Sequence, residues 1–525
     1  MLSEKLLSGP RRSFRLAIAM GLLSAGTGLA TVPSAQAAPR GAYTTKGAYG
    51  FVSAPRLHPP KVRTDAPTSA RKLAPGYFMV SNFKNLAMTE PLVGQGGPLI
   101  LDSHLQPVWF NPISTSLFSL NLRAQTYLSK PALSWWQGVI SPVGAVTSGE
   151  DIVVNDRYQT VAKLEGKDGW IISPHELLIS GANAWVTAYK NVPMNLAPYG
   201  GSASGVLTDS AVQEYDLKNG KLLSTFDAFR HISLSQSQIH PSPMPGIPWD
   251  AYHVNSINLT GSGTFVTSMR NTWAAYKVKA STGTIEWTLG GKGSSFTFGR
   301  NSTFQWQHDV ELHAGNEVSL FDDACCGVLG PGKFAPPSGP SRGLVLKLNT
   351  TTHTANLLAA YTAGHVGLET STQGSAQLLR GGNVLVGWGG QPWFSEYSKS
   401  GKLLFDARFP DPDISYRAYL QQWVGTPFFP PSGAARKSKG KTTVYASWDG
   451  ATQVASWRVL GGPNVKHLKS LATRRKNGFE TVIGMKGSSG VYKVQALDVK
   501  GHLLRTSKAF SIPRPRAKTP PPGFY

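Results

Sequence analysis

His253-Val-Asn-Ser-Ile257, a glycine-containing turn and then Phe265-Val-Thr-Ser-Met269 form one of four segments built alike. The others open at His175-Glu-Leu-Leu-Ile179, His308-Asp-Val-Glu-Leu312 and Gly374-Ser-Ala-Gln-Leu378, and run on to Trp185-Val-Thr-Ala-Tyr189, Val318-Ser-Leu-Phe-Asp322 and Val384-Leu-Val-Gly-Trp388. Each reads as a strand, a tight Gly/Asn turn and a second apolar strand, which is the signature of a β-hairpin. The segments start at 175, 253, 308 and 374, so they lie 78, 55 and 66 residues apart. That spacing suits one four-stranded propeller blade with loops of variable length. In such a fold the innermost strands line a central channel, and equivalent positions converge there. Three of the four segments begin with histidine; the fourth does not.

Working outward, two earlier stretches complete the count. Tyr77-Phe-Met-Val-Ser-Asn-Phe83 to Phe110 forms one blade and Asn121 to Val161 another, so six blades are expected, closing near Trp423. Turns such as Lys218-Asn219-Gly220 and Ser281-Thr282-Gly283 recur at what would be the outer rim. With 56 Gly, 37 Pro and many Trp, Tyr and Thr, the chain of 525 residues reads as all-β, a six-bladed β-propeller followed by a small β-sandwich.

The expected organisation is as follows. Residues 1–37 are an export signal of twin-arginine type, with Arg11-Arg12-Ser-Phe14, an apolar run and Ala35-Gln36-Ala37 for cleavage near Ala37. Residues 38–75 are a basic Pro-rich linker and 76–430 the propeller. Residues 431–441 form a second basic linker, 442–512 a fibronectin type III or Ig-like sandwich, and 513–525 a Pro-rich tail. The mature chain is expected to be secreted or bound to the cell envelope, with no transmembrane span.

The net charge of +23 is placed at the ends: residues 38–75 carry +6 and residues 434–525 carry +15, which leaves the propeller close to neutral. Such ends suit an anionic envelope polymer or membrane surface, or serve solubility alone, and nucleic acid is not expected for an exported chain without a recognisable binding fold. The two cysteines, Cys325 and Cys326, are adjacent and form either a vicinal disulfide or two thiols.

Neutral imidazole can be nucleophile, base or ligand, so the histidines of the repeats are the first candidates. His253 and His308 are expected to be catalytic, and His365, near the fourth repeat, is a third candidate. His175, Arg270, Arg342 and Trp306 are expected to bind substrate: cations would meet an anionic group, and an indole would stack on an aromatic one. Asp309, beside His308, and Asp322-Asp323 are candidate carboxylates for glycoside chemistry, with a solvated turn as the plainer reading. No zinc-ligand spacing, EF-hand loop or Gly-x-Ser-x-Gly elbow is present, and no cofactor or metal is expected.

At these positions the chain resembles the arylsulfotransferase family. The resemblance is carried by Trp135-Trp-Gln-Gly138, Asp250-Ala-Tyr-His253-Val-Asn-Ser-Ile257, Glu286-Trp-Thr-Leu-Gly-Gly291, Trp306-Gln-His308-Asp309, Leu320-Phe-Asp-Asp323, Ser341-Arg342, Gly382-Asn-Val-Leu-Val386 and Tyr416-Arg417. It implies a six-bladed propeller that moves a sulfuryl group from a phenolic sulfate ester to a phenol through a transiently sulfated channel histidine, without nucleotide or metal. His253 and His308 match the family's sulfate-binding histidines, and Arg342 is the nearest offer for its arginine. The nucleophile should fall at the fourth repeat, where this chain has Thr372-Gln373-Gly374-Ser375. A non-catalytic propeller that binds a sulfated or otherwise anionic glycan or small ligand is therefore the competing expectation. A quinone-dependent dehydrogenase is disfavoured, since its repeated tryptophan docking motifs are missing.

Overall fold

In the computed structural model the described residues are 43–64, 73–141, 144–261, 263–325, 327–330, 333–335, 337–364 and 368–513. The export signal, Cys326, His365 and all but the first residue of the Pro-rich tail lie outside them.

Alternating apolar residues and glycine turns build a series of antiparallel meanders. The second sheet runs Phe118–Tyr127, Lys130–Ile140, Val146–Asn155 and Thr160–Glu165, and the third Ile171–Ser180, Asn183–Met194, Gly205–Asp216 and Lys221–Asp227. The fourth runs Val254–Gly261, Thr264–Met269, Ala274–Lys279 and Thr284–Gly290. The fifth takes His308–His313, Glu317–Asp322, Arg342–Asn349 and Thr354–Thr362, and the sixth Ser375–Leu378, Val384–Gly387, Trp393–Tyr397 and Leu403–Arg408. In each, the first strand touches the first strands of the sheets on either side, so these strands surround an axis. This is a β-propeller.

The first sheet closes the ring from both ends of the domain. Tyr77–Lys84, Gly97–Leu101 and Pro107–Phe110 come from its start. The axial strand comes from its end, where Asp413–Ser415 and Tyr419–Gln421 both pair with Tyr77–Lys84.

Apolar faces fill the wedges between sheets. Val254, Phe265 and Met269 of the fourth sheet pack on Val212 and Phe226 of the third, and Val310, Leu320 and Leu344 of the fifth pack on Val266 and Leu289 of the fourth. Each such side chain contributes about 1.5–3 kcal/mol through burial. The Trp135-Trp136-Gln137-Gly138 motif is explained here. Trp136 is fully buried and donates its indole N–H to the Ile172 carbonyl (3.0 Å), tying the second sheet to the third. Its ring covers the paired Gly138 and Gly149, where a Cβ would come within 2.5 Å and 2.4 Å of the indole.

Two expected linkers are corrected. Within residues 38–75, Tyr43–Thr44 pairs with Leu92–Val93 and Arg63–Thr64 adds a fifth strand to the sixth sheet. Residues 431–441 are not a linker either: Ser432–Ser438 is a strand hairpinned to Lys441–Ser447, with Lys439 and Gly440 in the left-handed region (φ 47° and 73°) that such two-residue turns require. Only Ala435 of that strand is buried, so as an edge strand it tolerates the basic side chains that made it read as a loop. The C-terminal sandwich therefore begins at Ser432. Ser432–Ser438, Lys441–Ser447 and Glu480–Lys486 form one sheet, and Lys469–Arg475, Ser456–Gly462, Val491–Leu497 and Leu503–Thr506 the other. Their shared core holds Val444, Trp457, Ile483, Tyr492 and Val494.

The sandwich is fastened to the first sheet by half-buried Asp449, which accepts the Phe110 N–H (3.0 Å), while Gly450 N–H donates to the Val108 carbonyl (2.7 Å). Burial pushes the Asp449 carboxyl up to about 8 against the lowering effect of that hydrogen bond. The folded state then holds a proton that the unfolded chain releases near pH 4, so this group's stabilising contribution is full below about pH 4 and is lost as pH rises through about 8. Asp449→Asn should flatten that part of the pH dependence of the unfolding midpoint, measured by thermal denaturation across this range. An unchanged slope would show that Asp449 is ionised throughout.

Candidate functional site

The axial strands are irregular at one level. Their pairing breaks at Leu120/Arg123, Ile172/Leu177, Val254/Ser256 and His308/Glu311. Asn121, His253, Asp309 and Gln373 adopt left-handed φ of 61°, 57°, 53° and 73°. Bulges re-aim side chains, and strained non-glycine residues collect at functional positions.

Here the repeat histidines meet. His175 packs edge-on against His253 (ring centroids 5.0 Å apart), Tyr189 (5.8 Å) and Tyr416 (5.6 Å), and His308 lies 6.4 Å from Tyr416. Two of the histidines carry a carboxylate on Nδ1: Asp250 on His253, and Asp323 on His308 at 2.7 Å. Nε2 of His308 accepts the backbone N–H of Gln373 (3.3 Å), which leaves the ring proton on Nδ1, directed at Asp323. The same ring is buried, and burial, reinforced by the Arg270 charge, pushes its pKa well below the ordinary value. His175 is depressed likewise, by burial first and then by His253, Arg417 and Arg270. Both rings are therefore neutral near pH 7.

Arg270 supplies the positive charge. Its guanidinium lies 4.5 Å above the Trp306 ring and donates to Asn271 Oδ1 (3.0 Å) and the Ser371 carbonyl (2.7 Å), while the buried Nε makes no hydrogen bond among the described residues. Burial lowers its pKa, and the carboxylates of Asp323 and Asp250 oppose that shift. The cation is thus within electrostatic reach of both aspartates that orient the histidines.

A buried ionic cluster lies beside the histidines. Arg417 binds Glu176 (2.8 Å) and Asp309 (3.1 Å), donates to Tyr419 Oη (2.8 Å) and the Asn255 carbonyl (2.7 Å), and packs against the Tyr416 ring. Arg123 reaches Glu176 (2.7 Å) and Glu311 (3.5 Å).

Of the expected site residues, His175, His253, His308 and Arg270 are brought together. Trp306 is fully buried beneath Arg270, so it supports the cation and offers no face to a substrate. Arg342 is corrected: its guanidinium is taken up by Asp322 (3.0 Å) and the Thr303 carbonyl (2.8 Å), and Arg270 is the arginine of the histidine cluster. Tyr189, Tyr416, Arg417 and Glu176 were not expected as site residues. Asp250 had a local signal, three residues before His253, whereas Arg417 reaches Glu176 across 241 residues. Among the described residues no three His, Cys, Asp or Glu side chains are grouped to hold a metal ion.

The fold and its axial residues define a propeller with a cluster of histidines, aspartates and arginines on its axis. Residues 146–410 match the family described as Arylsulfotransferase (ASST), and the chain belongs to that family. No curated protein matches. Among solved structures, a protein of unknown function from Bacteroides caccae is 12% identical over 66% of this chain and 98% of its own (TM-score 0.38). The Dos1 propeller is 10% identical over 67% and 72% (0.26). Quinohemoprotein alcohol dehydrogenase from Comamonas testosteroni is 12% identical over 67% and 60% (0.29). At these scores the fold assignment rests on the sheets themselves.

Proposed function

We propose that the protein transfers a sulfuryl group from a phenolic sulfate ester to a phenolic acceptor. The observation that carries this is Arg270, a half-buried cation whose Nε has no hydrogen-bond partner among the described residues, within electrostatic reach of the two histidine–aspartate pairs on a ring of bulged axial strands. A sulfate monoester carries one negative charge on three equivalent oxygens, which suits a single guanidinium. As the S–O bond to the aryl group breaks, charge moves onto that oxygen, and preorganised donors lower the barrier without reorganising.

The test is purified protein with 4-nitrophenyl sulfate and excess phenol. Release of 4-nitrophenol that depends on the acceptor is the expected result. Folded protein that releases none would leave a binding propeller for an anionic glycan or small ligand, the reading that Gln373, in place of a histidine, favours. In the same proposal the chain works outside the cytoplasm, and its basic ends meet an anionic envelope polymer. Failure to be retained on an immobilised polyanion at physiological salt would count against that contact.

A further inference from the structure

We infer that the cleft where the propeller meets the C-terminal sandwich binds an acidic sugar unit of a polysaccharide. The inference deepens the proposed polyanion contact and is independent of the proposed sulfuryl transfer. The cleft is built from three parts: the turn at Asp156-Arg157 that joins the last two strands of the second sheet, the connecting residues 424–431, and the sandwich. It holds about 330 Å³. Hydrogen bonds set its walls: Thr426 N–H donates to the Asp156 carbonyl (2.8 Å), Phe428 N–H to the Arg157 carbonyl (3.1 Å) and Gly425 N–H to Thr452 Oγ1 (3.0 Å). Gly425 is required there, because a Cβ would come within 2.2 Å of both the Gly450 carbonyl oxygen and the Tyr158 hydroxyl. A recess fixed in this way is formed before a ligand arrives, which lowers the cost of binding.

Its lining divides into an apolar and a cationic part. Trp448 is half-buried and its indole N–H is bound to the Phe429 carbonyl (2.8 Å), so what it gives the cleft is apolar ring surface. Ala451 and Leu504 extend that surface. Arg157 and Arg505 line the same space, and neither is ion-paired among the described residues. Arg505 gives one bond, to the neutral Pro427 carbonyl (3.3 Å), and the side chain of Asp156 accepts the Thr426 hydroxyl (3.3 Å). Two guanidinia without a carboxylate partner select an anion. The apolar surface beside them suits the flat face of a ring. A pyranose that bears a carboxylate or a sulfate offers both.

The surroundings favour a unit within a chain over a lone molecule. Arg157 and Gln453 are exposed, so the cleft opens to solvent. Arg505 lies on Leu503–Thr506, an edge strand of the four-stranded sheet of the sandwich. The strands of that sheet also hold Arg458, Lys469, Arg474, Arg475 and Lys493, and no Asp or Glu. A sheet of one sign raises the local concentration of a polyanion beside the cleft at its edge.

The experiment is calorimetric titration of the purified protein with hyaluronan and chondroitin sulfate octasaccharides, the first carrying carboxylates alone and the second sulfates as well. Neutral maltooctaose and inorganic polyphosphate are titrated beside them. At least one acidic octasaccharide should bind, the tighter of the two naming the anion, and maltooctaose should not. Arg157→Ala and Arg505→Ala should each weaken that binding by about tenfold or more. Arg475→Ala, the same loss of charge elsewhere on the sheet, should change it by under about threefold. Arg157 is exposed and its side chain bonds nothing among the described residues, so its variant tests the cleft even if Arg505→Ala fails to fold. Equal weakening by Arg475→Ala overturns the inference, as does polyphosphate that binds as tightly through the same arginines; both leave a general polyanion contact standing. Maltooctaose bound as well as the acidic sugars, or no binding of either acidic octasaccharide, also overturns it, and retention on the immobilised polyanion then decides the wider contact separately.

Discussion

Replacing Arg417 by alanine should lower the stability of the propeller by about 3–5 kcal/mol, the range for breaking a buried ion pair from one side. The side chain is fully buried and bound to the carboxylates of Glu176 and Asp309. Alanine would leave both buried acids with Arg123 as a nearby cation, and would remove the donor to the Tyr419 hydroxyl and the Asn255 carbonyl as well. Denaturant unfolding of Arg417→Ala beside Arg408→Ala checks this. The Arg408–Asp411 pair is partly exposed, and its loss should cost under about 1 kcal/mol. Equal effects would show that the axial cluster is not the anchor its geometry describes.

The second large effect is on activity. Arg270→Ala should reduce kcat/KM by about 10²–10³-fold, as removal of one preorganised oxyanion donor does elsewhere. Arg270→Lys should restore only a fraction. A lysine ammonium has no fork to bond Asn271 and Ser371 at once, so it would not stay seated over Trp306. A readout independent of turnover accompanies this. The Arg270 charge is the second cause, after burial, of the depressed His308 pKa, so its removal should raise that pKa in an NMR titration. A variant whose His308 titrates as in wild type would separate Arg270 from the histidine pair.

The hairpins were readable because each repeats a local pattern, period-two apolar residues around a Gly/Asn turn, that backbone geometry must honour. His175, His253 and His308 followed because they open those hairpins. Arg342 misled because proximity in sequence to the Phe321-Asp322-Asp323 segment says nothing about which Asp the arginine faces; it faces Asp322, one residue from the aspartate that orients His308. Tyr416 and Arg417 sit on the segment that completes the first sheet, so their place among the histidines depends on ring closure, which no local pattern encodes. The segment 432–438 was hidden for the opposite reason. Its strand is held by backbone bonds at a sheet edge, where side-chain composition carries little information.

Closure of the ring also sets when the site can exist. Tyr77–Lys84 is made early, and its axial neighbour, the segment from Asp413 to Gln421, is made some three hundred residues later. Arg417 lies between the two strands of that late segment and bonds the carbonyl of Asn255, two residues after His253. A chain still under synthesis thus holds every histidine of the cluster while Glu176 and Asp309 wait for their cation. The axial cluster is completed by the same event that joins the two ends, so a chain lacking its last axial strand would present the histidines without the ionic support beside them.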